Sequence, residues 1–450
     1  MTYQINMTEG PVFTKLLKFS IPLILSSLLQ LLFNAADIIV VGRFAGDNSL
    51  AAVGSTSSLI NLLVNLFVGL SIGSNVVAAH YFGAEKNKEL SDTVHTSIYL
   101  GLFSGIILTV IGVIFAKQIL LLMQSPFEVL VKATTYLQIY FAGITSTMVY
   151  NFGSALLRAK GDTRRPLNIL LFSGLINLVL NLIFVIPLKM DVAGVALATV
   201  ISQTISAFLV IRILVKENDS FKLQLNNIKI NRHILEKIVK IGIPAGLQGI
   251  IFSLSNVIIQ SSINSFGAIV IAANSAVCNI EGFIYTAMNG FTQASLTFSS
   301  QNLGAKKISR IKKIVILSQL IVVIIGFSLS FLTILFEKPL IGIYSKNPQV
   351  LEEAMVRIKY VITLYAFCGM MDCMAQSIRG IGHSVMPMIV TLIGACGFRL
   401  IWLATVFQID KYHTPQTVFL SYPISWIITW LTHLVCFIIT YRKLSKESLK

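Results

Sequence analysis

The sequence has few charged residues and few cysteines. Only 12% of its 450 residues are charged, whereas 55% are hydrophobic, and the mean hydropathy is +0.79. Soluble domains of this total length carry about twice that share of charge, so the composition indicates an integral membrane protein. The five cysteines show no CxxC spacing. They indicate neither a disulfide framework nor a zinc site.

Motifs of common enzymes are also missing. The sequence contains no Walker A sequence and no HExxH motif, and both are needed for well-known ways of binding nucleotide or catalytic zinc. We therefore predict that the protein is not an enzyme and needs no cofactor. If it transports a substrate, the energy must come from an ion gradient rather than from ATP.

Long apolar runs predict the membrane spans. Each approaches or exceeds the roughly 20 apolar residues that cross a bilayer core of about 30 Å. We predict an all-α integral membrane protein with twelve transmembrane helices, near residues 19–41, 56–80, 94–116, 134–157, 167–187, 192–214, 241–263, 270–300, 314–336, 356–377, 385–408 and 417–441.

The second half of the chain repeats landmarks of the first. Ile21-Pro22 recurs as Ile243-Pro244, and Gly83-Ala84 recurs as Gly304-Ala305, in the same order and at almost the same offset along the chain. This indicates two homologous halves of six helices in the same orientation, an arrangement typical of transporters that bind substrate where the repeats meet. The predicted parts are a first lobe (1–215), a cytoplasmic linker (216–240) and a second lobe (241–450).

The formal charge of +16 follows from where the basic residues lie. With both termini on the inner side, most of the 35 Lys and Arg residues fall in inner loops, which predicts cytoplasmic N and C termini. Basic loops beside a membrane face anionic lipid headgroups. The lipid bilayer is therefore the partner that the charge indicates, and we predict no binding to nucleic acid.

Ionisable residues inside predicted spans mark candidate functional positions, because a charge within a bilayer is costly. Asp37 lies in the first span, with Asn34 one turn earlier on the same helix face. A carboxylate beside an amide can bind a proton, Na⁺ or a cationic substrate. The alternative is that Asp37 is merely interfacial, near the outer end of its span.

Amides form a second candidate group. Asn177 and Asn181 share one face of the fifth span, and Thr199 of the sixth span could join them. Their oxygens could bind an ion, and hydrogen bonding between helices explains them equally well.

The second half contributes Glu281, Asp372 and Arg399. Glu281 either begins a polar stripe along its helix or faces water at a helix end. Arg399 is identified as the only basic residue deep in an apolar run, and a buried arginine needs an acidic partner or water. We predict Asp372 or Glu281 as that partner, in a transport network or in a purely structural ion pair.

Several short motifs occur together along the chain, namely Phe19-Ser-Ile-Pro-Leu-Ile, Asn34-Ala-Ala-Asp37, Leu157-Arg-Ala-Lys-Gly-Asp-Thr163, Asn302-Leu-Gly-Ala305 and Arg379-Gly-Ile-Gly382. Over essentially its full length the chain resembles the bacterial multidrug and toxic compound extrusion (MATE) family, in a branch common in Firmicutes. The resemblance implies two six-helix lobes in a V and export of small organic cations by alternating access, in antiport against H⁺ or Na⁺.

Carried over by position, the resemblance implies that Asp37 is the aspartate of a cation site in the first lobe, with Asn177 and Thr199 as further ligands of Na⁺. Asn181 departs from the pattern, because some members have an aspartate there. Glu281 and Asp372 would supply the charge of the second lobe. We expect a monomer in the bacterial plasma (inner) membrane, with no cofactor besides the coupling ion.

Two alternatives remain open. The same superfamily includes flippases of lipid-linked oligosaccharides or lipids, which would favour a basic cavity. A channel or a signalling receptor belongs to a different class, and saturable, ion-coupled counterflow would exclude it.

Overall fold

The computed structural model describes residues 4–123, 126–227 and 229–447. Within these ranges the protein is helical and contains no β-strand. The α-helices in chain order are α1 (Val12–Phe44), α2 (Asp47–Gly83), α3 (Asn87–Leu122), α4 (Phe127–Ala142), α5 (Ile144–Lys160), α6 (Arg164–Val185), α7 (Asp191–Val215), α8 (Arg232–Asn264), α9 (Ala268–Gly304), α10 (Ile308–Leu335), α11 (Glu337–Gly342), α12 (Pro348–Tyr360), α13 (Ala366–Gly380), α14 (Val385–Thr391), α15 (Phe398–Ala404) and α16 (Pro415–Glu447).

The helices account for all twelve predicted spans. Among the described residues, ten helical segments are long and apolar enough to cross a membrane, and the pair Pro348–Leu364 and Ala366–Gly380, bent by 41°, counts as an eleventh. The remaining predicted span, 134–157, is divided between α4 and α5, which have 16 and 17 residues. The protein is therefore a multi-pass membrane protein, with ten continuous spans and one broken span among the described residues.

Two breaks between consecutive helices occupy equivalent places in the repeat. α4 and α5 meet at Gly143. The offset that relates Gly83 to Gly304 maps Gly143 onto Leu364, in the 3₁₀ turn Ile362–Leu364 between α12 and α13. A Cβ atom on Gly143 would lie 2.4 Å from the Val200 side chain of α7. Close packing of α7 against this break therefore requires glycine.

The backbone repeats together with the sequence. α2 and α9 have 37 residues each, and the same offset relates their first residues and their last residues. Glu85 and Lys306 share a left-handed backbone, with φ of 56° and 57°, and Gly46 and Gly267 have φ of 87° and 89°. Non-glycine residues seldom adopt this conformation. Outliers at matching positions confirm that the two halves are homologous.

The chain folds as two compact units, Met1–Asn6 with Leu25–Gly246, and Met7–Ile24 with Leu247–Lys450. One cluster of buried apolar residues in the first unit draws on every helix from α1 to α7, with Leu137 and Phe141 of α4 among them. In the second unit, residues of α10, α13 and α16 form a comparable cluster that includes Phe437. The units are defined by packing and the predicted lobes by homology, so the limits at 215 and 241 stay a prediction.

Candidate functional site

The first unit contains a chain of polar side chains from α1, α6 and α7. Asn181, which is 0% exposed, uses its Nδ2 group to donate to Oδ1 of Asp37 and, over 3.2 Å, to Oδ1 of Asn177. Asn177 donates to Oγ1 of Thr199 over 3.4 Å, and Thr199 donates to the carbonyl of Val195 over 3.0 Å. The structure thus brings four of the predicted residues into one hydrogen-bonded chain.

Local sequence explains this arrangement. Asn177 and Asn181 are four residues apart, so they lie on the same face of α6. Gly174 lies one turn before Asn177, where a Cβ atom would overlap the ring of Phe33 from α1. Because glycine leaves this space free, α1 approaches α6 closely enough for Asp37 to reach Asn181.

The oxygen atoms of this group are suited to binding a cation with a single positive charge. Asp37 is half-buried, and no basic residue forms an ion pair with it in the part of the chain that the structure describes. Oδ1 of Asn181 is buried and accepts no hydrogen bond. The available ligands are carboxylate, amide, hydroxyl and carbonyl oxygens, which hard cations prefer. This donor set fits the predicted Na⁺ site, and Asp37 can hold a proton instead.

Asn34 does not belong to this chain. It is exposed on α1, and no hydrogen bond among the described residues joins it to Asp37, although both lie on the same stretch of helix. Asn34 therefore lies close to Asp37 on α1, but Asp37 makes its side-chain hydrogen bond with Asn181 of α6.

In the second unit, Glu281 of α9 is paired with Arg357 of α12. Arg357 donates from Nε to Oε1 and from Nη2 to Oε2 of Glu281, each over 2.9 Å, and the two side chains are only 2% and 10% exposed. Arg357 also donates from Nη1 to Oδ1 of Asn274 over 2.5 Å, and Asn274 donates to Gln260 over 2.9 Å. A bidentate pair of this kind fixes the orientation of both side chains and neutralises their charges.

Arg399 has aromatic neighbours instead of an acid. Its Nε donates to Oγ of Ser425 over 2.8 Å, and its guanidinium lies 4.4 Å from the ring centre of Tyr422 and 5.7 Å from that of Trp426. No ion pair to Arg399 occurs within the described ranges. The prediction of Asp372 or Glu281 as its partner is therefore wrong. The reason is that ring faces carry negative charge that attracts a guanidinium, while Glu281 already pairs with Arg357.

A local irregularity positions Arg399. The segment Leu392–Gly397 between α14 and α15 is π-helical, a feature often found at functional sites. Within it, a Cβ atom on Gly394 would lie 2.4 Å from Oγ1 of Thr429. The absence of a side chain lets this segment approach α16 closely, which places Arg399 against Tyr422 and Ser425.

Asp372 forms no ion pair with Arg357 or Arg399 among the described residues. It accepts a hydrogen bond of 3.1 Å from the Tyr285 hydroxyl. The ring of Tyr422, in contrast, lies near two guanidinium groups, since Arg357 is 5.4 Å from its centre. Glu281, Arg357 and Arg399 thus form one group around Tyr422, and no direct bond among the described residues joins Asp372 to it.

Two further buried arginines were not among the predicted site residues. Arg357 lies at the start of the predicted span 356–377, on the face of α12 that buries Val350, Ala354 and Ile358. This i, i+4, i+8 pattern is the sequence signal that marks its burial. Arg379, which belongs to the motif Arg379-Gly-Ile-Gly382, is 2% exposed and donates to the side chains of Gln376, Gln248 and Ser384.

The polar groups differ between the halves even though the fold repeats. The offset that relates α2 to α9 maps Asp37 onto Ile258, and it maps Leu178 onto Arg399. The polar group around Asn181 therefore has one carboxylate among neutral oxygens, whereas the second half has three buried arginines, Arg357, Arg379 and Arg399.

A duplicated, multi-pass helical protein with buried polar groups in both halves has the features of a membrane transporter. The family model described as MatE matches residues 22–183 and 244–404, once in each half. The chain belongs to this family of transporters, the MATE family.

Individual relatives and solved structures agree with this family assignment. The chain is 26% identical over 424 residues to "Probable multidrug resistance protein YoeA" of Bacillus subtilis, covering 92% of this chain and 90% of that protein. It superposes with a TM-score of 0.91 on an outward-facing multidrug resistance MATE transporter of the MOP superfamily, at 20% identity over 99% of both chains. A TM-score of 0.92, at 21% identity over 99% of both chains, relates it to a MOP superfamily transporter from Pyrococcus furiosus, for which reverse polarity of the binding pocket is described as suggesting a different function. At these identities the two structures show the shared fold.

Proposed function

We propose that this protein is a secondary multidrug antiporter that exports small organic cations in exchange for H⁺ or Na⁺ by alternating access. The observation that carries the proposal is Asp37, a half-buried carboxylate that is held by Asn181 and has no basic partner among the described residues. The name of the relative YoeA, a probable multidrug resistance protein, supports the substrate class. The excess of basic residues in the inner loops supports a bacterial plasma membrane location with both termini in the cytoplasm.

Coupling would arise from competition for one negative charge. Asn181 orients the carboxylate of Asp37. Asn177, which donates to Thr199, accepts from Nδ2 of Asn181, and Oδ1 of Asn181 remains an open acceptor. The coupling ion supplies, when bound, the positive charge that competes with the drug. Asp37 attracts a cationic drug while its charge is free and loses that attraction once the charge is neutralised, which releases the drug.

Ethidium movement in everted vesicles tests this proposal. Vesicles would contain the wild type, Asp37→Asn, or the control Glu128→Gln, which alters an exposed carboxylate at the start of α4. Each would be placed under an imposed pH gradient and, separately, an imposed Na⁺ gradient. We expect one gradient to drive transport in the wild type and the control but not in Asp37→Asn. Unchanged efflux and unchanged ion dependence in Asp37→Asn would rule out this role for Asp37.

A second candidate function is transport of lipids or lipid-linked oligosaccharides. Its supporting observation is the excess of Arg357, Arg379 and Arg399 over Glu281 and Asp372 in the interior of the second unit, because buried guanidinium groups favour phosphate and other anions. In reconstituted vesicles, a fluorescent lipid-linked oligosaccharide would be quenched from outside by dithionite. Complete quenching with the wild type, half quenching with Arg399→Leu, and no ethidium movement under either gradient would favour this function over drug export.

A further inference from the structure

The second unit has a basic cavity where α10 begins and α16 ends. The cavity has a volume of about 680 Å³, and its lining includes Lys306, Lys307, Arg310 and Lys313 together with Tyr441. Among the residues that the structure describes, no acidic one lines it. A concentration of four positive charges around one cavity is unfavourable unless an anion or the solvent compensates it.

The equivalent turn of the first half has the opposite charge. The offset that relates α2 to α9 maps Glu85 onto Lys306, Glu89 onto Arg310 and Asp92 onto Lys313. Six spans separate the two turns, so the topology of the chain puts both on the same side of the membrane. The general preference for basic inner loops therefore does not explain why only the second turn is basic at these three positions.

The charged residues of the two turns also differ in the partners that they contact. In the first half, Asp92 accepts a hydrogen bond of 2.8 Å from Asn231, and Glu89 lies 4.0 Å from Lys86. Both carboxylates therefore have a partner within the unit. The four basic residues of the second turn have one acidic contact, between Lys307 and Glu9.

Two of the four basic side chains bind the chain segment before α1. Arg310 donates to the carbonyl oxygens of Met7 and Glu9 over 3.2 and 2.7 Å. Lys307 donates to the carbonyl of Thr8 over 3.1 Å, and its Nζ atom lies 3.7 Å from the Glu9 carboxylate. These contacts fix Lys307 and Arg310 in place at the cavity.

The other two basic side chains are exposed and have no such partner. Neither Lys306 nor Lys313 forms an ion pair or side-chain hydrogen bond with the residues that the structure describes. In addition, no side chain caps the first turn of α10, so backbone N–H groups at this end remain as donors. The cavity therefore combines hydrogen-bond donors that are held in place, on Lys307 and Arg310, with donors that can move, on Lys306 and Lys313. Such a set suits a group with several acceptor oxygens.

The cavity borders the apolar, membrane-spanning parts of α10 and α16. The apolar run of α10, predicted at 314–336, begins directly after Lys313. Tyr441 follows the apolar part of α16, and tyrosines are enriched at membrane interfaces. We propose that this cavity binds a phosphate group, with the headgroup of an anionic phospholipid as one source and free phosphate as the other.

A repeat-guided substitution tests this proposal. The double variant Lys306→Glu/Lys313→Asp places the residues of the first half at the equivalent positions. The matched control, Lys88→Glu/Lys229→Glu, makes the same change in net charge at exposed lysines that do not line the cavity. Native mass spectrometry of the full chain in detergent would measure binding of short-chain phosphatidylglycerol, phosphatidylcholine and inorganic phosphate.

We expect phosphatidylglycerol to bind the wild type and the control alike, and to bind the double variant about tenfold or more weakly, because each basic residue near a membrane surface adds to the attraction of anionic lipid. Binding of phosphatidylglycerol without inorganic phosphate would identify a lipid site, and binding of both would identify a general phosphate site. Equal affinity of the double variant and the control for phosphatidylglycerol and phosphate would overturn the proposal. The milder variant Lys306→Gln/Lys313→Gln provides the same comparison if the charge reversal impairs folding.

Discussion

Asn181 donates a hydrogen bond to Asp37 across 144 residues of sequence. The same Nδ2 group donates to Asn177, so both of its protons are used while Oδ1 accepts none. A flipped amide would turn Oδ1 towards the carboxylate of Asp37 and would repel it. The orientation of Asn181 is therefore determined by its neighbours, and it leaves an open acceptor beside the only carboxylate of this group.

The substitution Asn181→Asp tests this orientation. An aspartate would put a second acceptor-only group against Asp37, and two carboxylates at this distance repel unless a proton or a cation lies between them. We expect the apparent Tm of the variant in detergent to rise more steeply than that of the wild type with added Na⁺ or with falling pH. The control Asn226→Asp adds the same charge at an exposed position far from Asp37 in the chain, outside α1 and α6, and should respond as the wild type does. An identical response of Asn181→Asp and the wild type would contradict the assignment.

The Glu281–Arg357 pair makes a prediction about stability. Removing one partner of a buried pair leaves an uncompensated charge, which costs about 3–5 kcal/mol. We expect Glu281→Gln and Arg357→Met to lower the apparent Tm strongly, and the double variant to recover much of the loss. The pair Arg232–Glu236, with side chains 92% and 64% exposed, is the control, and its loss should change the Tm little. Additive losses in the double variant would argue against a coupled pair.

The sequence was most informative where a feature depends on neighbours along one helix. The spacing of Asn177 and Asn181 by four residues predicted a shared face, and the structure places both in one hydrogen-bonded chain. The duplication likewise predicted the repeated helices, because each half carries its own turn and helix-start residues.

Partners across helices were not predictable in the same way. Arg399 was assigned an acidic partner because only its charge is visible in sequence, whereas the π-helical segment before it turns it towards Tyr422. The burial of Arg357 is marked along its own helix by Val350, Ala354 and Ile358, but its partner Glu281 lies on α9. Which side chains Arg399 and Arg357 contact depends on how helices pack, which residue spacing along one helix does not encode.

The Tyr422 ring should stabilise two buried guanidinium groups at once. Its centre lies 4.4 Å from Arg399 and 5.4 Å from Arg357, and desolvated contacts of this kind contribute about 2 kcal/mol each. We expect Tyr422→Phe, which keeps the ring, to retain the apparent Tm, and Tyr422→Leu to lower it clearly. Tyr412→Leu removes an exposed ring 5.8 Å from Lys411 and should have little effect. Equal Tm values for Tyr422→Leu and Tyr422→Phe would show that the ring face is not needed.

The repeat also offers a matched test of what holds the segment before α1. Gly161 and Gly382 are equivalent turn residues with φ of 99° and 90°, so alanine at either position costs about 1–2 kcal/mol of backbone strain. A Cβ atom on Gly382 would meet nothing within 4 Å, but one on Gly161 would lie 2.4 Å from the carbonyl oxygen of Ile5. The N–H group of Ile5 donates to the carbonyl of Gly161 over 3.1 Å, and this bond would be displaced. We therefore expect Gly161→Ala to lower the apparent Tm more than Gly382→Ala and to speed proteolysis of the N-terminal segment. Equal proteolysis of the two variants would mean that the contact between Ile5 and Gly161 does not hold this segment in place.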